Sequence, residues 1–426
     1  MERCSAFFSR FFRSAAAVEP EELRPAGMAA LCFFLVFGGY SLLKPVRDAM
    51  GTVYGMADIH ELFTGTFFAT LLLAPLYSWL LSRFKLSGFL PWVYGFVALS
   101  ILAFYLLFEA PGLRQDRRLA AAFFVWVSTF NILIISVFWT FMADIFSSAQ
   151  ARRLFGLVAA GGTAGGIAGP LAAAFLAERV GNNNLMLISA LGFMAAALLV
   201  RALAAGRCSG PAGGPAEQRL NPAGKPLDGF RLFLASPYLM WIGFFLLLMT
   251  WVSTVVYIQL GDLITAAFSS REARTRAYAL IDLAVNCSAL FIQFFGTSRF
   301  VARFGVGTGL LLNPVIMLFA CAAVAFSPVL LVLGGIQILR RVAEYAVARP
   351  AREMLFTVTD RESRYKAKNV IDTVIYRFGD VSSAWLSSLV HPYGVGGLAV
   401  FGAGISLVWL YSARVLGLRY KALLRE

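Results

Sequence analysis

Between Arg340 and Asp380 the chain reads RRVAEYAVARPAREMLFTVTDRESRYKAKNVIDTVIYRFGD, so charge is carried into two apolar segments on either side of a basic loop. In the second segment, from Asn369 to Val390, Asp372, Arg377 and Asp380 interrupt a run apolar enough to cross a bilayer. At about 1.5 Å per residue, Asp380 lies roughly 16 Å into such a span, near its midplane. An ionisable group there costs about 2.5–3.5 kcal/mol on insertion scales, which points it toward a bundle interior or a watery cavity. The stripe Asn369, Asp372, Tyr376, Asp380 and Ser383 shares one helical face, with Arg377 one turn from Asp380 on its edge. In the first segment Gln337, Arg340, Arg341 and Glu344 fall within two turns, Arg340 and Glu344 at i, i+4.

A third group closes the first apolar block, GGYSLLKPVRDAMG, where Lys44, Arg47 and Asp48 stand at i, i+3 and i+4 and Pro45 permits a bend. Met28 to Leu43 is short of the roughly 20 residues a span needs, which draws these charges into the membrane. The other reading is that the helix ends at Leu43 and the charges meet the headgroups. Lys44, Arg47, Arg340, Arg341 and Arg377 leave positive potential over even after pairing, and guanidinium groups suit bidentate phosphate or carboxylate contacts. The chemistry on offer is recognition of an anion. Ion pairing that only makes insertion tolerable is the competing reading. Polar residues on other spans, Asn131, Tyr257, Asp282 and Asn286 among them, join the candidate binding set.

Other chemistry finds little support. His60 and His391 are the only histidines, and no metal cluster or nucleophile constellation accompanies them, so no catalytic residue, metal or cofactor is expected. The segment AAGGTAGGIAGP spaces Gly161, Gly165 and Gly169 four apart but lacks the Lys of a phosphate-binding loop; small residues at this spacing let helices approach closely. Its GxxxGP from Gly165 to Pro170 also resembles a fifth-helix motif of major facilitator antiporters. The five cysteines form no CxxC and read as free thiols.

The elements that must position these residues follow from composition. With 59% hydrophobic and 14% charged residues in 426, and apolar residues in long blocks, the chain is a polytopic, all-α integral membrane protein. Blocks of about 20 residues give twelve spans, starting near Met28, Glu61, Phe89, Leu119, Leu154, Asn184, Pro237, Ala277, Val306, Pro328, Asn369 and Tyr393. The Gly-, Pro- and Ala-rich interruption from Gly206 to Gly229 divides them six and six. The expected organisation is an amphipathic N-terminal segment 1–27, a six-helix bundle 28–205, a linker 206–230, a second six-helix bundle 231–416 and a tail 417–426.

Lys and Arg counted over short loops favour both termini and the linker in the cytoplasm, with Arg114, Arg117, Arg118, Arg179, Arg271, Arg274 and Arg276 as exceptions. The net charge of +14 is thus topology, and no compact basic domain exists to bind nucleic acid. Phe8, Phe11 and Phe12 form an apolar stripe among arginines, as in a helix lying on the inner leaflet.

Charge is absent from the cores of the spans starting at Phe89, Asn184, Val306 and Tyr393, the third of each triplet. Third helices facing lipid around a central cavity are the arrangement of the major facilitator fold. At this point YSLLKPVRDAMG, FWTFMADIFSSAQARRLFGL, the RFGVG to Pro314 turn and above all YKAKNVIDTVIYRFGD resemble the ATP/ADP translocase (NTP/NDP exchange) family, in its bacterial branch of major facilitator-like transporters. The resemblance covers Met28 to about Arg414. It implies a twelve-helix transporter in a bacterial inner membrane, with Lys44, Arg47, Arg377 and Asp380 on the translocation path. The chain departs from the family pattern at Asp380, where nucleotide exchangers carry a Lys. It departs again in the fourth span, where Val127, Ser128 and Thr129 stand in place of a Glu.

The expected function is secondary transport of a small anionic, phosphorylated organic solute, a nucleotide being one example, by alternating access between the halves of a monomer in the lipid bilayer. A lipid or amphiphile flippase on the same scaffold and, further off, a membrane-embedded enzyme are the alternatives.

Overall fold

The structure is a computed structural model that describes residues 19–84, 86–114, 116–205 and 228–424. The stripe at Phe8, Phe11 and Phe12 and nearly all of the linker lie outside those residues. Backbone groups in hydrocarbon must be satisfied within their own segment, so each apolar block becomes a helix. The first six are α1 (Leu23–Tyr54), α2 (Ile59–Arg83), α3 (Leu86–Glu109), α4 (Arg117–Ile145), α5 (Ser148–Val180) and α6 (Asn182–Ala205). Short α7 (Asp228–Ala235) leads into α8 (Pro237–Ala267), α9 (Arg271–Phe295) and α10 (Thr297–Phe326).

The tenth span is composite: α11 (Leu330–Ala343), a π-helical turn Glu344–Ala348, then α12 (Arg349–Met354) and a 3₁₀ turn Leu355–Val358. The eleventh is built alike, from α13 (Arg361–Val370), a π turn Ile371–Ile375 and α14 (Tyr376–Val390). The turn His391–Tyr393 joins it to α15 (Gly394–Leu423). Among the described residues nine helical stretches are long and apolar enough to cross a membrane, and the last, Lys366–Leu423, holds two spans. With α2 and the charged tenth span they make twelve, in two sets of six.

Several expectations are corrected. The first helix does not stop at Leu43; it runs through Pro45 to Tyr54, which places Lys44 about 15 Å before its end. The basic loop before the eleventh span is only Thr359 and Asp360, because Arg361 onward is already helical. The last helix continues past residue 416 to Leu423. Val306 does open the ninth span, since Gly305 at φ +78° breaks the helix just before it, a conformation glycine adopts without strain.

The described chain forms two compact units. One comprises the described residues within Met1–Val53, Ala69–Arg219 and Arg271–Leu280; the other those within Tyr54–Phe68, Leu220–Ser270 and Ile281–Glu426. In the first, the α5 glycines lie against α1. A Cβ on Gly161 or Gly165 would strike the carbonyl oxygen of Ala30 or Phe34, and one on Gly169 would come within 2.6 Å of Gly38 O. Close helix approach is thus the use of this spacing. Helices α3 and α6 pack along their length, with Tyr94 and Phe193 rings 6.2 Å apart, and turn Trp92 (77% exposed) and Leu191 (70%) outward. The opening turns of α9 dock here as well: Arg271 donates to Arg114 O at 2.7 Å, Arg274 to Thr52 Oγ1 at 3.1 Å, and Arg276 pairs with Glu178 at 2.8 Å. Three exceptions to the basic-residue bias are therefore fixed by these contacts.

In the second unit α8 is the central strut. It packs on α14 and α15, with Phe245 5.6 Å from Trp409. Helices α10 and α15 meet at Gly307 and Gly417 and leave Phe319 and Val400 (each 71% exposed) on the outside. In both units, then, the third and sixth helices, whose cores carry no charge, pair with each other and present apolar side chains outward.

Candidate functional site

The first unit holds one of the predicted charge groups. Arg47 donates to Asp48 Oδ1 from Nε at 3.0 Å and from Nη2 at 2.5 Å, and from Nη1 to Ser128 Oγ at 3.4 Å. Its guanidinium also lies 5.1 Å over the Phe124 ring. The pairing is between chain neighbours. Lys44 is half-buried one turn earlier. On α4, one turn beyond Ser128, the buried Asn131 Oδ1 has no hydrogen-bond donor.

The second unit holds the rest. Arg341 forms a salt bridge with Asp282 of α9 and lies 5.7 Å over Tyr345. Glu344 accepts from Asn313 Nδ2 of α10 at 2.7 Å. Arg340 donates from Nε and Nη2 to Gln337 Oε1, at 3.1 and 2.9 Å, and from Nη1 to Ser253 Oγ of α8 at 2.6 Å. The expected i, i+4 pairing of Arg340 with Glu344 is absent, since Glu344 opens the π turn and is taken by Asn313. Arg340 is thus a buried guanidinium held by neutral groups alone, with no carboxylate within 4.0 Å among the described residues. Glu344 is in electrostatic reach but not in contact; a buried guanidinium without a contacting carboxylate is costly, so an anion arriving there supplies that contact.

On the eleventh span Arg377 Nη1 meets Asp380 Oδ2 at 3.4 Å, a long contact for an ion pair, and the buried Arg377 Nε has no acceptor. Asp372 is half-buried within the π turn, in electrostatic reach of Arg352, Lys368 and Arg349. The turn carries a surplus residue, Tyr376 N–H reaching back to Ile371 O, so Asn369 no longer shares a stripe with Tyr376, Asp380 and Ser383. Tyr376 is exposed, Tyr257 stands edge-on to Phe63 at 6.0 Å, and Asn286 is half-buried one turn past Asp282. The structure therefore brings together Arg47 with Asp48, Arg341 with Asp282, and Arg377 with Asp380. It leaves Arg340 apart from Glu344.

Sequence reasoning missed Ser253, Asn313 and Arg352. The first two carry no periodic signal. Arg352 lies in PAREMLF, a segment that reads as loop but is helical and buries the arginine. The π turns were equally hidden. The tenth-span turn is held from outside its own helix, Tyr345 O accepting from Gln293 Nε2 at 3.0 Å and Ala346 O from Thr297 Oγ1 at 2.6 Å. Such turns are frequent at functional sites, and both of these adjoin the charge clusters.

Twelve spans in two sets of six, with unmatched cations buried among them, define a multi-pass membrane transporter. The chain belongs to the Major Facilitator Superfamily, whose family model matches residues 29–339; it is a secondary transporter rather than an enzyme. Among curated proteins it is similar to ADP,ATP carrier protein 1 of Chlamydia trachomatis serovar D, 26% identical over 215 residues, 44% of this chain and 41% of that one. It is also similar to the protein of the same name from Chlamydia pneumoniae, 30% identical over 154 residues, 30% of each. The matched stretch is thus about two-fifths or less of the length of these carriers. Two solved structures share the fold. A bacterial homologue of the iron transporter ferroportin, inward-facing, has TM-score 0.68 at 16% identity and covers 93% of this chain and 98% of that one. The nucleoside transporter NupG has TM-score 0.58 at 17% identity and covers 96% and 100%.

Proposed function

We propose that this transporter moves a small anionic, phosphorylated organic solute across a bacterial inner membrane by alternating access. The observation that carries the reading is Arg340, buried in the second unit and held only by Gln337 and Ser253. Arg377, with one long carboxylate contact and an orphaned Nε, adds to it. Similarity to the ADP,ATP carriers makes nucleotides the first solutes to try, in an NTP-for-NDP exchange. We assign Lys44 and Arg47 in the first unit, and Arg340 and Arg377 in the second, to anion recognition, with Asp48, Asn131, Tyr257, Asp282, Asn286, Arg341, Glu344, Asp372, Tyr376 and Asp380 as further solute-binding residues of their units. Both termini and the linker are assigned to the cytoplasm on the distribution of Lys and Arg.

The test is counterflow in proteoliposomes loaded with nucleotides, sugar phosphates or lysophospholipids. Uptake of a phosphorylated solute, lost in a folded Arg340→Gln protein, is the expected result. Movement of lysophospholipid with no phosphorylated solute taken up would replace this reading with a flippase.

A further inference from the structure

Arg340 has a counterpart twelve residues on. Arg352 of α12 is as buried as Arg340, each being 8% exposed. Its Nη1 meets only the Met249 sulfur, at 3.9 Å, and its Nε has no acceptor. Among the described residues no carboxylate lies within 4.0 Å of it. Asp372 is in electrostatic reach but not in contact. Two guanidinium groups on one span are therefore buried without an ionic partner.

The π turn Glu344–Ala348 lies between them and decides how they face. In an unbroken α-helix, twelve steps of about 100° would put Arg352 about 120° around from Arg340. The π turn absorbs one residue, leaving eleven effective steps and an offset of about 20°. Their contacts agree. Arg340 reaches Ser253 and Arg352 reaches Met249, one turn apart on α8, and Ser253 Oγ itself donates to Met249 O at 2.7 Å. The Cβ atoms of side chains so spaced on a helix stand about 5–6 Å apart, and the two arginines, about 16 Å apart along their own span, converge on that turn through their long side chains. The bulge thus turns both guanidinium groups to one turn of one neighbouring helix.

We infer that Arg340 and Arg352 form a two-point anion site for a solute with two linked anionic groups, such as a diphosphate. The inference rests on the anion reading above and sharpens it: one guanidinium takes each group, and the π turn sets their register. A monoanion has contacts for only one of them. A short dicarboxylate also has two linked anionic groups and is separated from a diphosphate by the test.

The test is thermal-shift titration of the purified full chain with inorganic phosphate, pyrophosphate and succinate, since a ligand of the folded state stabilises it by mass action. Pyrophosphate is expected to bind at least about tenfold more tightly than phosphate, a gap of about 1.4 kcal/mol. Arg352→Gln should shrink that ratio to below about threefold, mainly by weakening pyrophosphate. Deleting Ala346, which restores α-helical register and swings Arg352 aside, should do the same. Succinate exceeding pyrophosphate would assign the site to dicarboxylates. A folded Arg352→Gln protein with the wild-type ratio would overturn the two-point site and leave anion transport standing; a wild-type protein that binds none of the three overturns both. If neither variant folds, Arg352 is structural and the inference falls.

Discussion

Gly379 of the eleventh span lies so close to Thr250 of α8 that a Cβ on the glycine would collide with the threonine Oγ1 and come within 3.1 Å of its Cβ. The contact falls between Arg377 and Asp380, and Trp251 Nε1 donates to Ser382 Oγ at 3.0 Å beside it. Together they fix the rotation of α14 and so the direction of its charged pair. Gly379→Ala should destabilise the protein by about 1–3 kcal/mol, as overpacking does, and impair transport. Adding Thr250→Ala should recover part of the loss in melting temperature. Unchanged melting and transport in Gly379→Ala would remove α8 as the support of this site.

The α5 glycines give a sharper contrast. A Cβ at Gly165 would strike the Phe34 carbonyl oxygen and lie 2.8 Å from Gly38 N, backbone atoms that cannot turn aside, whereas Gly156 on the same helix has nothing within 4 Å. Gly165→Ala should abolish stable expression of the folded protein. Gly156→Ala should raise stability by about 0.5–1 kcal/mol through helix propensity alone. Size-exclusion profiles and melting curves of the two proteins check this.

Arg377 and Asp380 separate a binding role from a structural one. If the guanidinium contacts the solute, Arg377→Lys keeps fold and charge yet loses most transport, because the planar fork is gone. Asp380→Asn should be milder and raise anion affinity by removing a competing charge. Full transport by a folded Arg377→Lys protein would show that the pair only balances charge, in which case apolar replacement of both should be neutral or stabilising.

Arg341 and Asp282 form a tight pair between α11 and α9 with little exposure. Removing one partner strands the other, so Asp282→Ala is expected to cost about 3–5 kcal/mol. Replacing both by apolar residues of similar volume should cost far less. A double-mutant cycle on melting temperature that shows simple additivity would contradict this.

Topology is open to direct measurement. A Cys introduced at Gly213, in a chain whose own cysteines are replaced, should resist an impermeant thiol reagent applied to intact cells and react after lysis. Labelling in intact cells would invert the assigned orientation.

How much of this was legible in the sequence depends on which interactions set each feature. Span number and starts follow from apolar block length, because the bilayer leaves helices no alternative, and the outward face of the third helices followed from where charge is missing. The glycine spacing of α5 forecast its contact for the same local reason. Partner choice was less legible. Arg340 with Glu344 looked like a pair by spacing, but Asn313 and Ser253 come from distant spans and decide otherwise. The tenth-span π turn lay out of reach because nothing within Glu344–Ala348 calls for it; Gln293 and Thr297, about fifty residues earlier, donate to its carbonyls. With that turn went the face of Arg352, and a helix face read at a constant 3.6 residues per turn fails past any surplus residue.

That surplus residue is, in genetic terms, one codon wide. A descendant that loses one codon within Tyr345–Ala348 keeps every charged side chain of the tenth span and yet presents a different set to α8. Solute preference in such a lineage would shift without a single substitution, and the in-frame deletion responsible would sit in a span where gaps are otherwise hard to tolerate.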